Sequence, residues 1–364
     1  MISKVRYTHS SFARMTNLRR QGLLQSIATI IADYRQDEIP PIDVNHVDRW
    51  IRQFQKVGFD TDNQIVILEQ IERILQSYYF SYAKSEDFIA KVLASQILFG
   101  SNPTSAIRNV KFLQIQTKGN SQNDLLRLCD QILKTKYEIM LHECGNSPFS
   151  YIYIDDCLYS GNRVRRDISS WLPSAVKGTT LHLIFFAAHT EGLKYSKSEI
   201  IKAAEIYEIS VKFWKLYEFN NSRWNSSNFD CFWADEFSGE EYVDRYVQKV
   251  NEQRQASNKN LPPLFRPNNT QTQESIFSSP DARKILESAF LKAGAYIFSL
   301  PKSPNQNMRP LGYDYLQSLG FGSFFVTYRN TANNCPLALW WGDPNKPYPL
   351  NEWYPLLPRT VNIL

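Results

Sequence analysis

The sequence predicts an α/β fold, with a mostly parallel sheet, helices on both its faces and a helical region at the N-terminus. Three observations carry this. Two short apolar runs, FSYIYI at 149–154 and TTLHLIFFAAH at 179–189, are rich in aromatic and β-branched residues and suit strands covered on both sides. Between them lie a polar turn, DDCLYSGN at 155–162, and RVRRDISSWL at 163–172, which puts Val164, Ile168 and Leu172 on one helical face. Strand, turn, helix and strand make a βαβ unit. The first hundred residues show only helical periods.

Residues 18–35 set Leu23, Leu24, Ile27, Ile30 and Ile31 near one stripe, and Pro40 and Pro41 stop that element. Asp43 can cap a helix through His46, Val47, Trp50 and Ile51. The DTD at 60–62 is a turn or cap before a helix carrying Ile65, Leu68, Ile71 and Leu75. Further helices are expected at 85–99 and 122–141. Beyond the βαβ unit come a helix at 197–209, a strand at 211–219 and a helix at 240–255. Residues 256–276 are polar, contain proline and lack any period, so a long loop is expected. A helix at 280–294 follows, then strands at 321–328 and 337–341. These shifts suggest a helical region at 1–90, the first part of the α/β core at 91–219, an insertion at 220–283, and core completion at 284–364.

Hydrophobic residues make up 43% of the 364 and charged residues 21%, which excludes a mainly disordered chain or a small disulfide scaffold. The net charge of +5 permits a phosphorylated ligand or nucleic acid and demands neither. Five cysteines, Cys129, Cys144, Cys157, Cys231 and Cys335, are widely spaced without a CxxC, as expected of reduced thiols in the cytoplasm. His142 and Cys144 lack a second pair to complete a zinc site. The start, MISKVRYTHS, has no signal-peptide core, and no apolar stretch approaches the roughly 20 residues that cross a bilayer, so no membrane association is expected.

The chemistry concentrates in IYIDDCLYSGNRVRRDI. Asp155 and Asp156 follow an apolar strand, and a helix starts just beyond Gly161. Ligands of parallel α/β sheets collect outside the carboxyl ends of strands. Unpaired N–H groups of a first helical turn suit a phosphate there. Ser160 adds a hydroxyl, Gly161 allows close approach of the backbone, and Arg163 adds charge if it turns back. Bare acids would repel phosphate, so their fitting role is to accept hydrogen bonds from hydroxyls. Phosphate beside a diol describes a ribose 5-phosphate. Adjacent acids before a turn also cap helices or face solvent; the strands and helix around this pair favour a ligand.

The segment resembles the phosphoribosyl diphosphate motif of type I phosphoribosyltransferases: an apolar strand, two acids, three residues, Thr or Ser, Gly, one residue, then Thr or Ser. Asp155, Asp156, Ser160 and Gly161 match, and Arg163 stands where the last hydroxyl belongs. The resemblance implies that Asp155 and Asp156 contact ribose hydroxyls. It implies that Leu158, Tyr159, Ser160, Gly161, Asn162 and Arg163 cradle the 5-phosphate, and that Mg²⁺ accompanies the diphosphate, touching the acids at most through water. VDRWIRQFQ at 47–55, ILEQIERIL at 67–75, NTANNCPLALWW at 330–341 and WYPLLPR at 353–359 are similar to a bacterial phosphoribosyltransferase-like group associated with antiphage loci.

A diphosphate loop is sought at FGSNP, 99–103, or AAHT, 187–190, where His189 follows a strand. Arg329 is a further ligand candidate, from a strand beside the crevice. Two function classes follow. One is a Mg²⁺-dependent glycosyltransferase acting at ribosyl C1 on phosphoribosyl diphosphate or a nucleotide. The other is an inactive ligand sensor or regulatory subunit in a defence system, with a protein or nucleic-acid partner.

Overall fold

A computed structural model describes residues 9–359 apart from 37, 118, 225–228, 237, 258, 269 and 271–275. The chain packs as two units, Met1–Tyr79 with Arg223–Leu364, and Phe80–Ser222. The first unit opens with α1 (His9–Ile30), α2 (Val44–Arg52) and α3 (Thr61–Tyr78). The second holds α4 (Tyr82–Leu93), the short α5 (Gln96–Phe99) and α6 (Pro103–Ile107), then β1 (Val110–Phe112), α7 (Ser121–Tyr137) and β2 (Ser150–Leu158). It continues with α8 (Asn162–Trp171), β3 (Thr180–His189), α9 (Thr190–Glu205) and β4 (Ser210–Phe219). The chain returns to the first unit with α10 (Glu241–Ala256), α11 (Pro280–Ser299), two-residue strands β5 (Val326–Thr327) and β6 (Asn330–Thr331), and α12 (Leu337–Trp340).

In the second unit four parallel strands lie in the order β1-β2-β3-β4. Val164, Ile168 and Leu172 from α8 and its end, with Ile200 and Ala204 from α9, pack on Tyr151, Tyr153, Leu181, Leu183 and Phe185. Phe186, next along β3, is met by Phe80, 4.3 Å between ring centroids, and by Phe88 of α4 at 5.2 Å. Neighbouring strand residues face opposite ways, so α4 covers one face of the sheet and α8 and α9 the other. The expected fold class, a parallel sheet flanked by helices, is present. Each such large apolar side chain contributes roughly 1.5–3 kcal/mol by leaving water.

In the first unit Asp43 and Asp60 cap α2 and α3, accepting from the N–H groups of His46 and Asn63 as their spacing predicts. The stripe on α3 is buried by α1 and α11. The C-terminal segment is hydrogen-bonded to the N-terminal helices: Trp50 and Trp353 both donate to the Ala338 carbonyl, and the Tyr34 hydroxyl donates to that of Pro358. The packing thus divides the chain elsewhere than the composition suggests. Among the described residues the sheet takes no strand from 284–364, because that segment spends its apolar surface on α1–α3.

Two strand expectations are corrected. Residues 337–341 begin with α12, and of 321–328 only Val326 and Thr327 are strand. Buried apolar runs of this length fit a helix turn, a strand or a tight loop equally well. Here the backbone bonds run to loops: Gly322 donates to Leu311, Ser323 to Asn334, and Phe232 to Gly322. Of 256–276, residues 258, 269 and 271–275 lie outside the described residues; those described form no helix or strand beyond the end of α10, apart from one bridge between Asp235 and Arg266. Among the described residues no helix is long and apolar enough to cross a membrane. All five cysteines are buried, and none forms a disulfide.

Candidate functional site

Strand β2 runs to Leu158, four residues beyond its expected end, so both acids sit inside the strand. Asp155 pairs in register with Phe185 and is 3% exposed; Asp156 is half-buried. The chain then turns through Tyr159, Ser160 and Gly161 into α8. Gly161 is the N-cap residue in a left-handed conformation, φ 73°, and no side chain caps the helix. The first N–H groups of α8 are therefore left for solvent or a ligand.

Gly161 also has a packing duty. A Cβ there would lie 2.7 Å from the Gly192 carbonyl oxygen and 2.8 Å from Ser196 Cβ. A Cβ on Gly192 would come within 1.8 Å of the Tyr159 oxygen. The turn is thus pressed against the first turns of α9 by two glycines, which fixes where the α8 donors point.

The loop after β1, described at residues 113–117, 119 and 120, supplies the other wall. Gln122, fully buried at the start of α7, accepts from the backbone N–H groups of Ile115 (2.7 Å) and Gln116 (2.9 Å). Gln116 Nε2 donates to Ser121 Oγ (3.0 Å) and, at 3.4 Å, to Asp155 Oδ2. Thr117 Oγ1 donates to Asp167 Oδ1 of α8 at 3.2 Å. Arg163 turns back over this loop: a Cβ on Gly119 would lie 3.0 Å from its Nη1.

Asp155 accepts from Tyr153 Oη at 3.4 Å and from the Asp156 backbone N–H at 2.9 Å. Burial and the neighbouring Asp156 push its carboxyl up from 3.8 to about 7, against the pull of Ser121, the Asp156 N–H and Arg163. Asp156 Oδ1 accepts from the Cys157 N–H at 2.7 Å. Burial likewise raises Asp167, while Thr117, Arg163 and Arg166 lower it. The result is a polar crevice of two strand acids, an uncapped helix start, a guanidinium and a stapled loop. It can receive an anion and a hydroxyl donor side by side.

The PRTase-CE family model matches residues 47–359, most of the chain and all of this crevice. The chain belongs to the PRTase-CE family. No curated protein matches it.

The other expected PRTase-CE site residues divide. Leu158 is buried at the end of β2, Tyr159 and Ser160 are half-buried, and Asn162 and Arg163 are exposed at the start of α8. His189 ends β3 and is fully buried; its Nδ1 lies 3.3 Å from the Leu158 oxygen and its ring stacks under Tyr159 at 5.2 Å. Burial pushes it down to about 3, which favours the neutral ring. Arg329 lies on the turn between β5 and β6 in the other unit, not on a strand of the sheet.

Of residues 99–103, Phe99 ends α5, Pro103 starts α6 and 100–102 join them, before β1 begins; Ala187 and Ala188 are buried strand. The loop after β1 brings Gln116 to Asp155 and Thr117 to Asp167. Its signals in the sequence are the short run VKF and the glycine in QTKGN. Among the described residues no group of three or more His, Cys, Asp or Glu is placed to hold a metal ion.

Proposed function

We propose that the crevice binds ribose 5-phosphate or phosphoribosyl diphosphate, with the phosphate on the α8 donors and ribose hydroxyls on Asp155 and Asp156. The observation that carries this reading is the placement of two acids near the carboxyl end of β2, shortly before an uncapped helix start. Membership of the PRTase-CE family supports it.

On this reading the chain is a glycosyltransferase acting at ribosyl C1. Asp155 and Asp156 orient the sugar and stabilise positive charge as the bond at C1 loosens. The oxygen-only donors at the two acids suit a hard cation such as Mg²⁺, with Asp156 nearer solvent than Asp155. Mg²⁺, carried by the diphosphate, would neutralise the leaving group. A second reading, a ligand sensor without turnover, is favoured by one feature: Arg163 stands where the motif has a hydroxyl and reaches toward the β1–α7 loop. A role in antiphage defence belongs to both readings and rests on the sequence resemblance.

Calorimetric titration tests the proposal. The protein is expected to bind ribose 5-phosphate or, with Mg²⁺, phosphoribosyl diphosphate at millimolar concentration or below. The Asp155→Asn/Asp156→Asn variant is expected to bind about tenfold or more weakly, since a hydrogen bond to a charged group contributes roughly 1.5–3 kcal/mol. A wild type that binds neither ligand overturns the reading. Binding without diphosphate release in the presence of bases, nucleosides or nucleic acid selects the sensor.

A further inference from the structure

Asp167 lies one helical turn beyond Arg163 and is 3% exposed. The phosphoribosyl diphosphate motif has ended before it, yet it is bonded to the same loop that reaches Asp155. Oδ1 accepts from Thr117 in the β1–α7 loop. Oδ2 is buried and has no hydrogen-bond partner. A buried carboxylate oxygen without a donor is costly, and a folded chain seldom keeps one without a use. The cluster around it is continuous: the loop that Thr117 belongs to also sends Gln116 to Asp155, and Tyr153, which donates to Asp155, feels the charges of both acids.

We infer that Asp167 is a third acid of the ligand site, its Oδ1 holding the loop and its Oδ2 receiving a hydroxyl of the bound sugar. The inference rests on the ribose-phosphate reading above. It assigns Asp167 two separable duties, one to the fold of the loop and one to the ligand. Arg163, at the preceding turn of the same helix, keeps the carboxylate in check electrostatically while the site is empty.

Separate variants isolate the duties. Asp167→Asn keeps an acceptor for Thr117 but removes the charge and one acceptor oxygen. Asp167→Ser keeps a hydroxyl for Thr117 and removes the second oxygen entirely. Thr117→Val releases the loop and leaves the carboxylate. Each is titrated with ribose 5-phosphate and with inorganic phosphate, beside the wild type and Asp155→Asn/Asp156→Asn, with thermal melts.

The expected result is that both Asp167 variants lose about tenfold in affinity for ribose 5-phosphate. Their affinity for inorganic phosphate stays equal or improves, and Asp167→Asn melts no lower than wild type. If Asp167→Asn does not fold, Asp167→Ser decides by the same comparison. The inference is overturned if the Asp167 variants bind ribose 5-phosphate like wild type while Thr117→Val weakens it, which makes Asp167 a fastener only. It is also overturned if both probes weaken alike. In either case the loss in Asp155→Asn/Asp156→Asn keeps the ribose-phosphate reading standing. A wild type that binds no ribose 5-phosphate removes that reading and this inference together.

Discussion

Asparagine at position 155 is expected to stabilise the protein at pH 8 while it damages ligand binding. The folded state holds the Asp155 carboxyl proton up to about pH 7, whereas the unfolded chain releases it near 3.8. Between those values the folded state binds more protons, so stability falls as pH rises. Above the folded value the penalty of a buried carboxylate is complete; below the unfolded value it vanishes. Asparagine does not titrate, and its amide oxygen can still accept from the Asp156 N–H. A rise from 3.8 to about 7 sets an upper bound of about 4 kcal/mol on that penalty. A gain of about 2–4 kcal/mol at pH 8 is therefore expected, shrinking toward pH 4. Urea unfolding of both proteins across this range measures it. A variant less stable by the same amount at every pH would mean that the bonds from Gln116 and Tyr153 outweigh burial. A residue held at a penalty to folding is what a binding acid looks like from the side of stability.

Alanine at Glu287 is expected to have the largest effect on the first unit. Glu287 is 1% exposed on α11. Its Oε1 accepts from Arg283 Nε at 2.9 Å and the Trp233 N–H at 3.0 Å, and its Oε2 from Arg266 at 2.9 Å. Arg283 in turn donates to the carbonyls of Phe229 and Cys231 and lies over the Phe277 ring. These bonds tie the 229–235 segment to α11. Alanine leaves the Arg283 guanidinium buried without its counter-charge, while Arg266 keeps Asp235, and a loss of about 3–5 kcal/mol is expected. Glutamine keeps acceptors and should lose less. Hydrogen exchange of the α11 amides reads the effect in this unit alone; a change below about 1 kcal/mol would show that water reaches the arginines readily.

The part of this protein built from short-range rules was legible in the sequence. Asp43 and Asp60 cap helices where they were expected to, and the stretch 149–189 folds as strand, turn, helix and strand. The acids, Ser160 and Gly161 fall together because they are neighbours along the end of β2 and the turn that follows it. What could not be read depends on distant partners. The β1–α7 loop has no period, and its place is set by Gln122, Thr117 and the facing Asp167. Arg329 was expected on a strand, whereas it lies on the turn between β5 and β6, in a two-stranded pair separate from the four-stranded sheet. The 337–341 run is apolar in either state, and only its surroundings make it a helix turn. Gly161 was read for ligand approach, whereas its tightest contacts are with Gly192 and Ser196 of α9.

The most direct test of the ribose-phosphate site is a crystal structure of the protein soaked with ribose 5-phosphate. The phosphate is expected on the backbone N–H groups of residues 158–163, with the 2′ and 3′ hydroxyls within hydrogen-bond distance of Asp155 and Asp156. A phosphate bound elsewhere, or a sugar turned with its hydroxyls away from both acids, would contradict it.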